Sequence, residues 1–235
     1  MLPFISVIVP TLNEEKLIES CLKSIKNQDY KGRYEIILAD GKSKDKTVKI
    51  AKKYTNKIVI VEKKGRPAGL NEGVKHAKGE IVFFVDADCI LLPSALTIFA
   101  KAFKNKKVIG ATCFVLPTNA KMKDFILYWL FNQLFKFSVK LGKPHISIAF
   151  CYRKDVFEKV GGFKEDAVPE EDLELSLRIG KHGKIVFIDK PLVLTSPRRL
   201  EAWGRIKVAI VYISSYFNYF LRGKAFGLNK YKPVR

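Results

Sequence analysis

The chain has 235 residues, 48% of them hydrophobic and 28% charged, enough apolar material for one large domain and too much for a disordered chain. Its 43 Lys+Arg outweigh 23 Asp+Glu and leave a net charge of +20, which calls for an anionic partner: nucleic acid, a membrane surface or a phosphorylated substrate. Cys21, Cys89, Cys113 and Cys151 lie far apart with no Cys-x-x-Cys or Cys/His cluster, which argues against zinc and for a reducing compartment.

Met1–Ser6 runs directly into a strand with no basic segment or cleavage site, so no secretory leader is expected. Phe4–Val9 reads as an apolar strand closed by Pro10. Asn13-Glu14-Glu15 then opens a helix carrying Leu17, Ile18, Cys21, Leu22 and Ile25 at helical spacing. Tyr34–Ala39 is a second strand ending at Asp40-Gly41, and Ser43–Thr47 leads into a basic helix. Lys57–Val61 is a third strand, followed by a loop holding Arg66 and the helix Gly69–Ala77.

The fourth strand, Ile81–Val85, is five apolar residues rich in β-branched and aromatic side chains, the pattern of a strand buried on both faces. It runs into Asp86-Ala87-Asp88. Strands alternating with helices of these lengths indicate βαβ units and a mainly parallel sheet. Right-handed crossovers then collect Pro10, Thr11, Asp40, Arg66, Asp86 and Asp88 along one edge, where open α/β sheets bind ligands. No Gly-x-Gly-x-x-Gly follows the first strand, which argues against a dinucleotide site.

Beyond Pro93 the rhythm loosens. Ser94 caps a helix through Phe103, Val108–Leu116 is a strand, and Lys121–Leu141 is an aromatic-rich basic helix. Ile146–Tyr152 is a strand and Asp155–Val160 a short helix stopped by Gly161-Gly162. Pro169–Arg178 begins a helix with acids in its first turn, as the helix dipole prefers. Lys184–Ile188 and Leu192–Ser196 read as two short strands, and Pro197-Arg198-Arg199 leads into a last helix and a basic tail. The division expected is a domain over residues 1–200 and an appendage over 201–235.

Several stretches, taken in order, resemble family 2 glycosyltransferases: Val9-Pro-Thr-Leu-Asn-Glu-Glu15, Ala39–Thr47, Asn71-Glu-Gly73 with Ala77-Lys-Gly79, Val85-Asp-Ala-Asp88, and Phe150–Arg153 with Gly161-Gly-Phe163 and Glu171-Asp172. The resemblance implies an α/β GT-A (Rossmann-like) fold, a nucleotide-diphosphate sugar donor (UDP or GDP before dTDP) and inversion at the anomeric carbon. It places Pro10, Thr11 and Glu14 in the nucleotide pocket, Asp40 against the base, and Arg66 on phosphate or base, with Asn71 packing or closing the pocket. It makes Asp88 the main ligand of a divalent Mn²⁺ or Mg²⁺ ion, with Asp86 on ribose or sugar and beside the metal. Hard ions of this kind bind through few carboxylates plus phosphate oxygens. Glu171-Asp172 supplies the general base, Asp172, and Arg198 and Arg199 reach the pyrophosphate. Each also has a plainer reading, as a turn acid, a helix N-terminus or a surface arginine. Three acids at Glu170–Asp172 repel one another while the dipole pulls the other way, so sequence leaves the direction of their pKa shift open. Arg199-Leu-Glu-Ala-Trp203 only loosely matches the Gln-x-x-Arg-Trp motif of processive synthases, which favours transfer of a single sugar. The acceptor is a hydroxyl on a lipid-linked or membrane molecule, or a polyprenyl phosphate.

Val208–Leu221 carries no charge and is flanked by Arg205, Lys207, Arg222 and Lys224. It is shorter than the roughly 20 apolar residues a spanning helix needs. Lys207, Ser214, Ser215, Asn218 and Arg222 share a narrow sector of the helical wheel. This suits a helix lying in an anionic membrane surface, with the protein peripheral on the cytoplasmic face. Burial on the sheet or in a homodimer is the competing reading for this helix and for Lys121–Leu141. A nucleic-acid-binding protein is the remaining class, but no helix-turn-helix, zinc or RRM signature supports it.

Overall fold

The computed structural model describes residues 2–119, 121–146, 148–167 and 170–222, with side chains in the last helix described through residue 214. The expected basic tail lies outside the described residues, as do Pro169 and the side chains of Ser215, Asn218 and Arg222. The first half alternates β1 (Ile5–Thr11), α1 (Ile18–Lys26), β2 (Tyr34–Asp40), α2 (Thr47–Ala51), β3 (Ile58–Ile60), α3 (Arg66–Lys75) and β4 (Ile81–Val85). There follow β5 (Cys89–Leu91), α4 (Ala95–Ala102), β6 (Val108–Pro117), α5 (Met122–Lys140), β7 (Ala149–Arg153), α6 (Lys154–Lys159), α7 (Glu171–Ile179), β8 (Lys184–Thr195), α8 (Arg198–Trp203) and α9 (Arg205–Arg222).

Among the described residues these strands make one mixed sheet in the order β3-β2-β1-β4-β7-β6-β8-β5. The first four are parallel, and β7 enters antiparallel between β4 and β6. Every residue of β4 is buried, as a central strand covered on both faces requires. Successive residues divide the core. Val7, Val9, Phe83 and Val85 face one layer with Leu22, Ile25 and Phe99. Ile8, Val82 and Phe84 face the other, with Leu70, Leu175 and Phe150. On that second side Gly73 lets α3 lie close, since a Cβ there would meet Ile8 Cγ2 at 2.6 Å.

Five details differ from the sequence reading. Pro10 lies inside β1 rather than closing it. Odd-numbered residues of β1 bond β2 (Arg33 O to Ile5 N, Thr11 O to Gly41 N), so Pro10 faces β4, whose pairing has already ended at Ile8. Its missing N–H therefore costs no ladder bond. Asn13–Glu15 form a loop rather than a helix start, because their polar groups are exchanged with the loop after β2: the Asn13, Glu14 and Glu15 amides donate to Ser43, Thr47 and Asp45, and the Lys44 and Lys46 amides donate to Asn13 and Glu15. A short strand, β5, follows the paired acids and bonds β8. The two strands expected after residue 184 are one, β8, which stays on β6 through register shifts near Phe114 that absorb Asp189-Lys190. The last helix is broken into α8 and α9 at Gly204, whose φ of +78° continues no right-handed helix.

Helix α5 is inside out. Its buried residues are Asp124, Asn132 and Ser138, while Met122, Ile126, Trp129, Leu134 and Phe137 are exposed. The polar groups have specific work. Asn132 donates to Val115 O (2.8 Å) and accepts from Val115 N (3.0 Å), which pairs it with the backbone of β6. Asp124 binds Arg205 at the start of α9 and so ties the two helices together.

Candidate active site

Strands β1, β2 and β4 are parallel and end side by side, which sets Thr11, Asp40 and Asp86 along one rim. Asp40 is buried. Its Oδ1 accepts from the Thr11 (3.0 Å) and Ser43 (2.6 Å) hydroxyls and its Oδ2 from the Ser43 amide (2.8 Å). These bonds use three of a carboxylate's roughly four acceptor sites. Pro10 is half-buried beside it.

Arg66, expected on a loop, is the first residue of α3, because Gly65 at φ +113° turns the chain and Pro67 suits a helix start. Its guanidinium spans the site. Nε donates to Asp86 Oδ1 at 2.9 Å, and Nη1 to Asp172 Oδ1 at 2.8 Å and Glu171 Oε1 at 3.2 Å. Burial alone would lower its pKa, but the three acids raise it well above the ordinary value and keep it charged. The end of β4 and the start of α7 are thereby joined through one side chain, which lies 106 residues before Asp172 in the chain.

A second arginine closes the other side. Ser196 N donates to Asp88 O at the end of β8, and this brings α8 against the acids. Arg198 then grips Glu14 with both terminal nitrogens (2.8 and 2.9 Å) and Asp88 Oδ2 with Nε (3.0 Å). Glu14 is buried by this pairing rather than lying open in a pocket. Arg199 points toward α9, donating to the Tyr212 hydroxyl and lying over the Trp203 and Tyr212 rings. Asn71 is held elsewhere: both ends of its amide bond the Phe163 backbone (2.8 and 2.9 Å), so it fastens the Gly161–Phe163 turn to α3.

The site is short of positive charge. Glu14, Asp86, Asp88, Glu170, Glu171 and Asp172 face Arg66, Arg198 and Arg199. Glu171 Oε2 is buried without a hydrogen-bond partner. Burial, reinforced by the charge of Asp86, pushes Asp88 up to about 6 against the pull of Arg198. Burial likewise raises Asp172, to about 7, opposed by Arg66 and reinforced by Glu171. For Asp172 the direction left open by the sequence is upward, since desolvation outweighs the pull of Arg66. Acids in excess, with Asp86 and Asp88 on one turn, make a hard-oxygen donor set that fits a divalent ion completing its shell with phosphate oxygens.

Next to the acids a cleft opens between β6, α5 and α9, lined in part by Tyr128, Glu170 and His145. None of these three stood out as a site residue in the sequence, and only the run of three acids ending at Asp172 hinted at Glu170. Burial lowers the pKa of His145 to about 4, so it is neutral, and its ring packs on Phe135 at 4.6 Å. The four cysteines are free and buried, and His76 is exposed beside Glu72.

The model of the family described as glycosyl transferase family 2 matches residues 6–161. Glycosyltransferase AglE of Haloferax volcanii is 38% identical over 211 residues, covering 84% of this chain and 68% of AglE. The GalNAc(5)-diNAcBac-PP-undecaprenol beta-1,3-glucosyltransferase of Campylobacter jejuni is 34% identical over 132 residues, 53% of this chain and 42% of that protein. Among solved structures, mannosyltransferase PcManGT from Pyrobaculum calidifontis, in complex with GDP-Man and Mn²⁺, matches with a TM-score of 0.75 at 26% identity, over 96% of this chain and 66% of that one. The chain thus spans from under half to about two thirds of the length of these relatives.

Proposed function

The chain belongs to glycosyl transferase family 2, with the GT-A fold, and from this premise we propose that it moves one sugar from a nucleotide-diphosphate sugar, with inversion, to a hydroxyl of a lipid-linked or membrane acceptor. Residues 1–200 carry the transfer and 201–235 form the appendage. The observation that carries the reading is the bridge of Arg66 between Asp86 and Asp172. It puts an acid of the donor side and a buried acid of the acceptor side within one side chain of each other.

Pro10, Thr11 and Asp40 line the rim for the nucleoside, and Asp40 keeps an acceptor site for a base N–H. Asp88, with Asp86, would hold Mn²⁺ or Mg²⁺, which supplies charge neutralisation for the departing pyrophosphate. The PcManGT complex contains Mn²⁺ and GDP-Man, and this supports a metal and a UDP- or GDP-linked donor here. Arg198, paired with Asp88, and Arg199, whose charge Asp88 also feels, would draw the pyrophosphate away from the sugar. An inverting displacement also needs the attacking hydroxyl to lose its proton on the face opposite the leaving group. Asp172 takes it: raised to about 7, it is a stronger base than an ordinary carboxylate and becomes ionised as pH rises through about 7. Glu171 beside it shares Arg66. The acids crowding Asp172 disfavour a phosphate acceptor and favour a hydroxyl.

The inverted face of α5 supports a membrane surface as the place of work. Trp129 and Phe137 are 53% and 60% exposed there, and Ile206, Ile210 and Ile213 continue the apolar surface on α9. Lys121, Lys123, Lys140 and Lys143 flank the first face and Lys207 the second. Basic groups near anionic lipid contribute on the order of 1 kcal/mol each. Among the described residues no helix is long and apolar enough to cross a membrane, and the C. jejuni relative's acceptor is named as an undecaprenol diphosphate conjugate.

The test is nucleotide release from UDP- and GDP-sugars with and without Mn²⁺, following free UDP or GDP. Release with at least one donor, lost in Asp88→Asn, is expected. No release from any donor would overturn the reading.

A further inference from the structure

The cleft beside the acids has two unlike ends. One is the cluster of Asp86, Asp88 and Asp172, the other lies between β6, α5 and α9, and together they hold about 170 Å³. The apolar side chains at that second end are Val115, Tyr128, Phe131, Phe135, Val208 and Val211, and His145, Glu170 and Tyr212 are the polar groups that also line the cleft. The amide of Asn132, which also reaches it, already bonds the backbone of Val115 and Tyr128. A sugar ring against those apolar side chains would surrender hydration on the hydroxyls that face them, an unfavourable exchange. An apolar group gains instead. A cavity of about 150 Å³ lined only by Leu, Ile and Phe takes up a benzene-sized guest, so the apolar end of this cleft accommodates fewer, about three to five carbons.

We propose that the reacting hydroxyl of the acceptor is carried directly on an apolar chain, as in an aliphatic or isoprenoid alcohol, whose first few carbons lie in this cleft. The inference rests on the transfer reading above and narrows its acceptor. The alcohol oxygen bonds to the anomeric carbon, the bond from that carbon to the β-phosphate oxygen breaks, and the nucleoside diphosphate leaves with the electron pair. The hydroxyl proton passes to the Asp172 carboxylate. The rest of the chain would leave the cleft between α5 and α9, whose outer surfaces are the apolar faces described above.

The test is a competition between water and alcohols for the donor sugar. The enzyme is given the UDP- or GDP-sugar it consumes fastest, with methanol, n-propanol, n-pentanol or n-octanol at equal concentration. Alkyl glycoside is then measured against free sugar. Capture should rise by up to about fourfold per methylene through pentanol and level off by octanol. Val211→Phe should move the plateau to shorter alcohols and Val211→Ala to longer ones. Because capture is a ratio within one reaction, partial unfolding of a variant leaves it unchanged. Flat capture from methanol to octanol, a plateau that neither variant moves, or better capture by methyl β-glucoside than by pentanol would overturn the inference and leave sugar transfer standing. Absence of nucleotide release from every donor would overturn both.

Discussion

Asp172→Asn should stabilise the protein while disabling it, and the two effects have one cause. The Asp172 side chain is 13% exposed and faces Glu171, with Arg66 shared among three acids. Its pKa stands at about 7 against an ordinary 3.8. A folded pKa above the unfolded one means the native state holds the proton more tightly. The stabilisation this gives is full below about pH 4 and is lost as pH rises through about 7. The gap of about three pKa units corresponds to at most ~4 kcal/mol, and sharing of Arg66 among the acids reduces this to an expected 2–4 kcal/mol. Asparagine keeps the shape and an acceptor for Arg66 without the charge. Urea unfolding with metal chelated should therefore show the variant more stable than the parent by about that amount at pH 8, with most of the difference gone at pH 5. Equal differences at the two pH values would refute the assignment of a buried, costly carboxylate.

Four further outcomes follow from the same geometry. In the parent enzyme, kcat/KM for transfer should fall about tenfold per pH unit below about 7, as the base is protonated, and a pH–rate profile checks this limb. Arg198→Ala leaves Glu14 and Asp88 facing each other without a cation, so metal-free stability should drop by about 2–4 kcal/mol in urea unfolding, with part regained on adding Mn²⁺. Asn132→Leu removes the pairing of Val115 N and O and should cost about 2–4 kcal/mol by the same measurement. Trp129→Ser with Phe137→Ser should weaken co-sedimentation with anionic vesicles by about tenfold or more while leaving Tm within a few degrees, since both side chains are more than half exposed.

The rim of the site was legible because strand ends in βαβ units point one way. Thr11, Asp40 and Asp86 needed only the alternation of strands and helices to be brought together. The pairing of Arg198 with Glu14 was not legible: the residues are 184 positions apart, and only the fold of β8 against Asp88 brings them together. Arg66 is similar. Its charge suggested a phosphate, but a guanidinium surrounded by three acids is determined by where α7 starts, and local sequence does not encode that position. In α5 the aromatic residues were visible, yet apolar and polar positions do not separate cleanly along the sequence. Which side faces inward is set by Asn132 matching the edge of β6 and Asp124 meeting Arg205. The break at Gly204 was visible as a glycine but gave no signal of its positive φ.

The central claim is that Asp172 removes the acceptor proton at a donor site held by Asp86 and Asp88. The direct measurement is single-turnover transfer by Asp172→Asn beside the parent enzyme, with nucleotide affinity measured on both. A loss of about 10²–10⁴ in the transfer step with nucleotide affinity little changed is predicted. Near-normal transfer by the variant would contradict the account.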